Sequence, residues 1–503
     1  MIRPKGSSSF IRPKVLISCS LLACAALVVV SLNGCGASTG HGSLSQTGKI
    51  EHVVIIFQEN RTPDNLFQDQ TLIARGADIA SSGMTSSGNT IQLTPIDLGT
   101  AGSNPQTYDL SHAHKAFVAM YNGGKMDGAD LIACTPVAAC PPHAHPNPQF
   151  KYVLPSDVQP YFALAEQYTF ADRMFQTNQG PSMPAHQYIL SGTSWDGKSG
   201  SNLFEAENPD LPANLGGGVV AGGNTGCSSP SSETVQMIDI TNPDPTTNET
   251  TLVYPCFDHA TLTDLLDTQK ISWRYYANVK PCSPSAPCPT GIWVAPNAIQ
   301  HICQPNAAPP NGTACTGPEW VSNVVAGTQV LTDISNGQLP AVSWVIPDGK
   351  ASDHAMSNTG EGPSWVASVV NAIGQSQYWD NTAIIIAWDD WGGWYDHVAP
   401  PVRSDNSYEM GFRVPLIVVS PYAKAGYISH VQHDFGSILK FIETTFDLST
   451  IGPNAGFADS RSDDLSDCFD FNQTPLKFSS IPSQYGASHF LNDKRPAVDP
   501  DDD

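Results

Sequence analysis

The apolar positions of this chain fall into short β-branched runs separated by helical spacings. Ile50 to Phe57 (IEHVVIIF) predicts a buried first strand. Ile271–Tyr276, Ala341–Ile346, Thr382–Trp388 (TAIIIAW) and Val414–Ser420 (VPLIVVS) predict further strands. Between them, Leu110–Tyr121 (with Ser111 as N-cap), Tyr161–Phe170, a segment starting at Leu262, Ser364–Ile373 and Phe435–Phe446 carry helical spacing. Strands alternating with helices predict an α/β fold, a mainly parallel central sheet covered by helices. Residues 70–105 are Ser/Thr/Gly-rich and read as loop, and 195–258 and 280–318 read as loop-rich insertions.

Composition sets the scale. The 503 residues, 40% of them hydrophobic, suffice for one large domain with insertions or for two domains. The division expected is a targeting segment over 1–35, a flexible tether over 36–48, the main domain over 49–475, and an extension over 476–503 with an acidic tail. A net charge of −23 disfavours nucleic-acid binding. It would also repel an anionic substrate unless a bound metal supplied local positive charge.

The N-terminus has the pattern of an export signal. Arg3, Lys5, Arg12 and Lys14 precede an apolar run from Val15 to about Leu32, which ends in Leu32-Asn33-Gly34-Cys35. That ending resembles a bacterial lipoprotein box, implying cleavage before Cys35 and lipid attachment there; Asn33 is unusual in it. An ordinary signal peptide and an uncleaved anchor are the alternatives. Cysteine spacing fits export: Cys134/Cys140, Cys282/Cys288, Cys303/Cys315 and Cys227/Cys256 read as disulfides, leaving Cys468 over. The rival, a zinc site, lacks the tight C-x2-C spacing.

Two strand ends carry the chemistry. The first strand runs into Gln58-Glu59-Asn60-Arg61, and Thr382–Trp388 runs into Asp389-Asp390 followed by Gly392-Gly393. If the strands are neighbours, Glu59, Asn60, Asp389 and Asp390 offer oxygen ligands to one divalent cation. Without a cation the clustered carboxylates would raise one another's pKa. Ser182, in Gly180-Pro181-Ser182-Met183-Pro184, lies in a proline-stiffened segment suited to presenting a hydroxyl. Taken singly, each motif reads more readily as caps and turns.

Together the motifs resemble a bacterial phosphoesterase family containing phosphatidylcholine-type phospholipases C and acid phosphatases, related in fold to alkaline phosphatase. The family's E-N-R-S-F-D-H appears as Glu59-Asn60-Arg61-Thr62-Pro63-Asp64-Asn65, and its G-P-T-x-P-N-R as Gly180-Pro181-Ser182-Met183-Pro184-Ala185-His186. Its D-E-x-G-G-x-x-D-H-V-x-P-P appears as Asp389-Asp390-Trp391-Gly392-Gly393-Trp394-Tyr395-Asp396-His397-Val398-Ala399-Pro400-Pro401. The resemblance implies Ser182 as nucleophile and metal ligand, beside Glu59, Asn60, Asp389 and Asp390. It implies His112 and His354 as phosphate-binding or proton-donating groups, and a third histidine from the middle of the chain, for which His301 is the choice. The ion is one of Ca2+, Mg2+, Mn2+ or Zn2+. Ser182 for Thr and Asp390 for Glu lean toward the acid-phosphatase branch, whereas Ala185-His186 removes an Arg that could bind phosphate. His397 is read as a brace for the Asp389-Asp390 loop, and His143-Ala144-His145 as an exposed loop. Gly36-Ala37-Ser38-Thr39-Gly40 and the Gly216–Ala221 run match an elbow and a dinucleotide fingerprint by chance, lacking the flanking strand and helix.

The expected enzyme is thus an exported phosphate-ester hydrolase acting on a small phosphate ester or a phospholipid head group. It would touch a membrane only through a lipid anchor and bind no nucleic acid. A phospholipase C acting on diesters and a non-catalytic surface binding lipoprotein are the rivals.

Overall fold

The computed structural model describes residues 48–495 except 136–137, 139, 141–144, 210–224, 246, 280–290, 357–358, 403–407 and 453–455. The export signal with Cys35, nearly all of the tether, Cys282/Cys288, His143, the Gly216–Ala221 run and the acidic tail lie outside the described residues. Among those described, no helix is long and apolar enough to cross a membrane.

The central sheet contains β1 (His52–Gln58), β2 (Thr169–Ala171), β3 (Trp273–Ala277), β4 (Val324–Ala326), β5 (Val342–Val345), β6 (Thr382–Trp388), β7 (Leu416–Val419) and β8 (Tyr427–Ser429). Their spatial order is β4-β3-β5-β1-β6-β7-β2-β8. β7 runs antiparallel to both neighbours, β6 and β2, and the other pairings are parallel. The fold is therefore α/β with a mainly parallel sheet. The unbroken apolar runs have a direct cause: β6 is buried along its whole length and β1 at all but its first residue, so both faces need apolar side chains.

The longer helices are α1 (His114–Tyr121), which packs in a second, smaller core with Trp391 and Phe412, and α2 (Gln159–Gln167), α3 (Ser182–Ser191), α4 (Leu262–Gln269), α5 (Gly362–Gly374) and α6 (Phe435–Phe446), which belong to the core of the sheet. α2 packs on α5, and α3 packs on α6 and α4. Capping boxes start α4 at Thr261 with Asp264 and α6 at Asp434 with Ser437.

Four local readings need correction. The helix expected from Leu110 starts at His114, because Asp109–Leu110 pair as a strand with Cys134–Thr135; its N-cap is Ala113, not Ser111. The helix expected over Tyr161–Phe170 ends at Gln167, and Thr169–Ala171 joins the sheet instead. Residues 70–105 hold a helix (Gln70–Ala74) and three short strands. The insertion over 195–258 contains a three-stranded antiparallel sheet of Leu203–Glu205, Val235–Asp239 and Thr251–Val253. Except for the Ser82–Met84/Thr90–Gln92 hairpin and the Gln70–Ala74 helix, these elements form through pairings between distant segments, which local spacing does not encode.

Disulfides join Cys134–Cys140, Cys227–Cys256 and Cys303–Cys315, while Cys468 is a buried thiol. Residues 476–495 pack against α5 and its flank: Asn371 makes a paired amide contact with Ile481 at 2.9 and 2.8 Å, and Phe490 meets Trp365 edge-on.

Candidate active site

The site begins with strand register. β1 and β6 are parallel neighbours in which Gln58 faces Trp388, so the next residue of each strand, Glu59 and Asp389, emerges side by side. The Asp389 amide still donates to the Gln58 carbonyl at 3.0 Å. Beyond the edge, Asn60 takes a left-handed φ of 61° and its amide donates to Asp389 Oδ1 at 2.9 Å. Asp390 returns through its own amide to the same oxygen at 2.7 Å. Gly392 (φ 59°) and Gly393 (φ 72°) are needed for more than conformation. A Cβ on Gly392 would lie 2.5 Å from the Asn60 carbonyl, and one on Gly393 2.4 Å from Leu110 Cβ. The double glycine lets the late loop lie against both Asn60 and the strand leading to His112.

Ser182 is the first residue of α3, where the helix dipole favours negative charge. Its hydroxyl donates to Asp390 Oδ2 at 3.1 Å. The segment before it is tied down by side-chain amides: Gln176 Nε2 donates to the Gly180 carbonyl at 3.0 Å, while Gln176 Oε1 accepts from the Trp391 amide at 3.1 Å. One glutamine thus joins the serine loop to the aspartate loop. From the insertion, Asn208 Oδ1 accepts the Met183 amide at 2.9 Å and satisfies an otherwise orphaned donor at the start of α3.

Two histidines flank these groups. His112 Nδ1 bonds the Leu110 carbonyl at 2.9 Å, so Nδ1 carries the proton and Nε2 accepts from Asn60 Nδ2 at 3.3 Å. That contact turns Asn60 Oδ1 the other way, where it has no hydrogen-bond partner. His354 Nδ1 likewise bonds the Ala355 carbonyl at 2.8 Å, and its ring centroid lies 6.0 Å from that of His112. The His354 loop is held by Arg61, whose buried guanidinium donates to the Asp353 carbonyl at 3.0 and 2.6 Å. Burial pulls the Arg61 pKa down to about 10, against the pull of Asp353.

The structure thus brings together Glu59, Asn60, Ser182, Asp389, Asp390, His112 and His354, all at most 1% exposed. It does not bring His301. That ring is 30% exposed in its side chain, with Nδ1 2.7 Å from Asp258 and Nε2 3.3 Å from Asp264, both outside the cluster. The four-residue helix Gln300–Cys303 carries it to these acids, so the choice of His301 is corrected. The residue missed is His186. Its Nε2 lies 3.4 Å from Glu59 Oε1 and 3.9 Å from Asp389 Oδ2. The available signal was its spacing: four residues after Ser182 on one helix puts both on the same face.

Electrostatics argue for a cation here. Burial, then the charge of Asp389, holds the Glu59 carboxyl well above its usual range. The same two causes raise Asp390. Asp389 alone is lowered: burial pushes it up, but the close approach of Glu59, His186 and Ser182 outweighs burial. Both Glu59 oxygens, Asn60 Oδ1, Asp389 Oδ2 and His186 Nε2 are buried without hydrogen-bond partners. Buried polar atoms are rarely left so. Ligand atoms of Glu59, His186 and Asp389 lie within 4.8 Å of one another. The donor set fits a divalent cation.

The phosphoesterase family model matches residues 50–449. This chain belongs to the phosphoesterase family. It is 22% identical over 504 residues to a non-hemolytic phospholipase C of Burkholderia pseudomallei, covering 90% of this chain and 63% of that protein. It is also 22% identical to a hemolytic phospholipase C of Pseudomonas aeruginosa, over 84% of this chain and 56% of that one. The chain therefore spans less than two thirds of the length of these relatives. A Vibrio parahaemolyticus protein of the alkaline phosphatase superfamily aligns with TM-score 0.33 and 10% identity over 83% of this chain and 70% of that one.

Proposed function

We propose that this phosphoesterase-family chain is an exported, metal-dependent hydrolase of phosphate esters, with Ser182 as nucleophile and a phosphoserine intermediate. The observation that carries the reading is the Ser182 hydroxyl bonded to Asp390 beside buried carboxylate and amide oxygens that lack partners. Glu59, Asn60, Ser182, Asp389 and Asp390 would hold one divalent cation. Bound there, the cation would supply positive charge that lowers the hydroxyl pKa and draws electron density from a phosphate oxygen.

The chain's own groups supply the rest. Asp390 takes the Ser182 proton along the existing hydrogen bond as the serine oxygen bonds to phosphorus. The ester P–O bond breaks, and the leaving alcohol takes the Nε2 proton of His354 or His112 in its imidazolium form, which leaves that ring neutral. Both rings have their Nδ1–H fixed on backbone carbonyls, so the proton exchanged is the one at Nε2. Water then attacks the phosphoserine, the neutral histidine removing its proton; the P–Oγ bond breaks, and Asp390 returns its proton so that Ser182 leaves as alcohol. Burial of all these groups excludes competing solvent and strengthens each interaction.

A second reading has its own support. The named relatives are phospholipases C, which favours diesters of phospholipid head groups. Ser182 and Asp390 favour monoesters, by resemblance to the acid-phosphatase branch. Export is supported by the disulfides, which persist in oxidising compartments, and by the N-terminal pattern. Lipid attachment at Cys35 predicts that Cys35→Ala moves the protein from the membrane fraction to the soluble one.

The test compares a chromogenic phosphate monoester with a choline-phosphate diester, with and without chelator, for the unaltered enzyme and Ser182→Ala. Turnover abolished by chelator and by the substitution supports the proposal, and the preferred ester chooses the branch. Full turnover by Ser182→Ala would overturn the nucleophile assignment.

A further inference from the structure

We infer that His186 is a ligand of the cation, giving an otherwise all-oxygen site one nitrogen donor and tuning it toward Zn2+ over Mg2+ or Ca2+. The inference rests on the metal-dependent reading above and concerns a position where this chain departs from the family pattern it resembles.

The geometry is specific. His186 is fully buried, and its Nε2 points between Glu59 Oε1 at 3.4 Å and Asp389 Oδ2 at 3.9 Å without a hydrogen-bond partner. The other nitrogen fixes the tautomer. Nδ1 lies 3.4 Å from the Tyr275 oxygen, and the Tyr275 hydroxyl already donates its proton to the Trp293 carbonyl at 2.8 Å. The Tyr275 oxygen can therefore only accept, so Nδ1 carries the hydrogen and Nε2 keeps its lone pair. A lone pair aimed at two carboxylate oxygens has no favourable partner unless a cation or a proton lies among them. Metal-bound histidines characteristically donate their other N–H to an oriented acceptor, as His186 does here. The indole of Trp293 lies nearly parallel to the ring at 6.5 Å, and Phe57 approaches at 6.4 Å, so aromatic rings flank the imidazole.

Two other roles for His186 predict different things. A charge-balancing imidazolium would carry no metal bond. A replacement for the phosphate-binding arginine would face outward from the carboxylates, whereas this ring faces them. Imidazole ligation suits Zn2+ and its neighbours better than the hard ions that all-oxygen sites select.

The test uses the purified full-length protein, stripped of metal and reloaded with Mn2+, and pulsed electron paramagnetic resonance. Nitrogen-14 modulation from a directly bound imidazole is expected, altered by ring-15N-histidine labelling of the unaltered protein. It should disappear in His186→Gln and persist in His112→Asn. In parallel, His186→Gln should weaken Zn2+ binding about 10- to 100-fold while leaving Mg2+ binding nearly unchanged. Stoichiometric Mn2+ with no nitrogen modulation in the unaltered protein would overturn the His186 assignment and leave the metal-dependent hydrolase standing. Failure to bind Mn2+, Zn2+ or Mg2+, together with hydrolysis that persists in chelator, would overturn both.

Discussion

Two buried clusters invite comparison because they share a composition and differ in state. Glu59, Asp389 and His186 form one; Asp64, Asp396 and His397 form the other. Each joins the first and last motifs, and each has ligand atoms within 4.8 Å. In the second cluster every charge is answered. Arg413 grips Asp396 with two bonds of 2.9 Å and reaches Asp64 at 3.3 Å. His397 bonds Asp64 at 2.7 Å and Asp78 at 2.9 Å. In the first, among the described residues, no Lys or Arg forms an ion pair with Glu59, Asp389 or Asp390, and four buried atoms of its members, with Asn60 Oδ1 beside them, go without hydrogen-bond partners. Proximity of ligand-type residues therefore does not by itself separate the two; whether their charges are answered within the chain does. One cluster is a brace that completes itself, and the other leaves donor atoms that the proposed cation would take up.

The largest expected effect breaks the two apart by function. Glu59→Gln keeps the volume and removes one carboxylate from the unanswered cluster. Metal affinity should fall steeply, and hydrolysis at least about a thousandfold, as for loss of a member of a catalytic unit. Stability of the metal-free protein should hold or rise, since a like charge leaves a buried group. A metal-free protein that loses several kcal/mol in denaturant titration would show that Glu59 is a structural partner, and the contrast would fail.

How much of this was readable beforehand follows from the same contrast. The buried strands were legible because both-face burial forces unbroken apolar runs, and β6 begins and ends where its TAIIIAW run does. The acid pairs were legible because they sit at the ends of those strands, and register alone then brings Glu59 to Asp389. Asn60, Ser182 and Asp390 follow from the same motifs. What escaped depends on distant contacts. The spacing of His186 from Ser182 becomes a signal only once Ser182 is known to open a helix, and the proline-flanked segment reads as a stiff loop. Nothing local to His301 says that it faces Asp258 and Asp264 instead of the site. Arg413 is hidden for a related reason: its partners Asp64, Asp78 and Asp396 lie in three separate segments.

The answered cluster should respond in stability. Arg413→Met leaves Asp64 and Asp396 buried with their main counter-charge gone, and breaking a buried pair on one side costs about 3–5 kcal/mol. Denaturant midpoints of the metal-free forms would read it; a loss below about 1 kcal/mol would put the cluster in the surface-pair class instead. Its histidine adds a pH signature. Burial would lower the His397 pKa, but Asp64 and then Asp396 carry it up to about 9, with Arg413 opposing. Because the folded value lies above the unfolded one, about 6.5, the imidazolium contributes fully below that pH. The contribution is lost as pH rises through about 9. The stability gap between unaltered protein and His397→Gln should therefore be wide at about pH 6 and narrow by about pH 10. An equal gap at both would mean that His397 is not charged in the fold.

The smallest effect belongs to His301, and it sharpens the comparison from outside. This histidine is also bracketed by two carboxylates, Asp258 and Asp264, and the hydrogen bonds and charges of Asp264 and Asp258 outweigh burial to raise its pKa to about 9. Yet its side chain is 30% exposed and Asp258 58%, so solvent screens what the pair gains. His301→Ala should cost no more than about 1 kcal/mol in stability. Turnover and metal content should stay within about twofold of the unaltered enzyme, because the ring touches none of the groups around Ser182. Steady-state kinetics at saturating metal decides the matter. A loss of turnover comparable to that of Glu59→Gln would mean that the loop bearing His301 moves into the site during catalysis, and that exposure in the resting structure is a poor guide to which carboxylate–histidine clusters do chemistry.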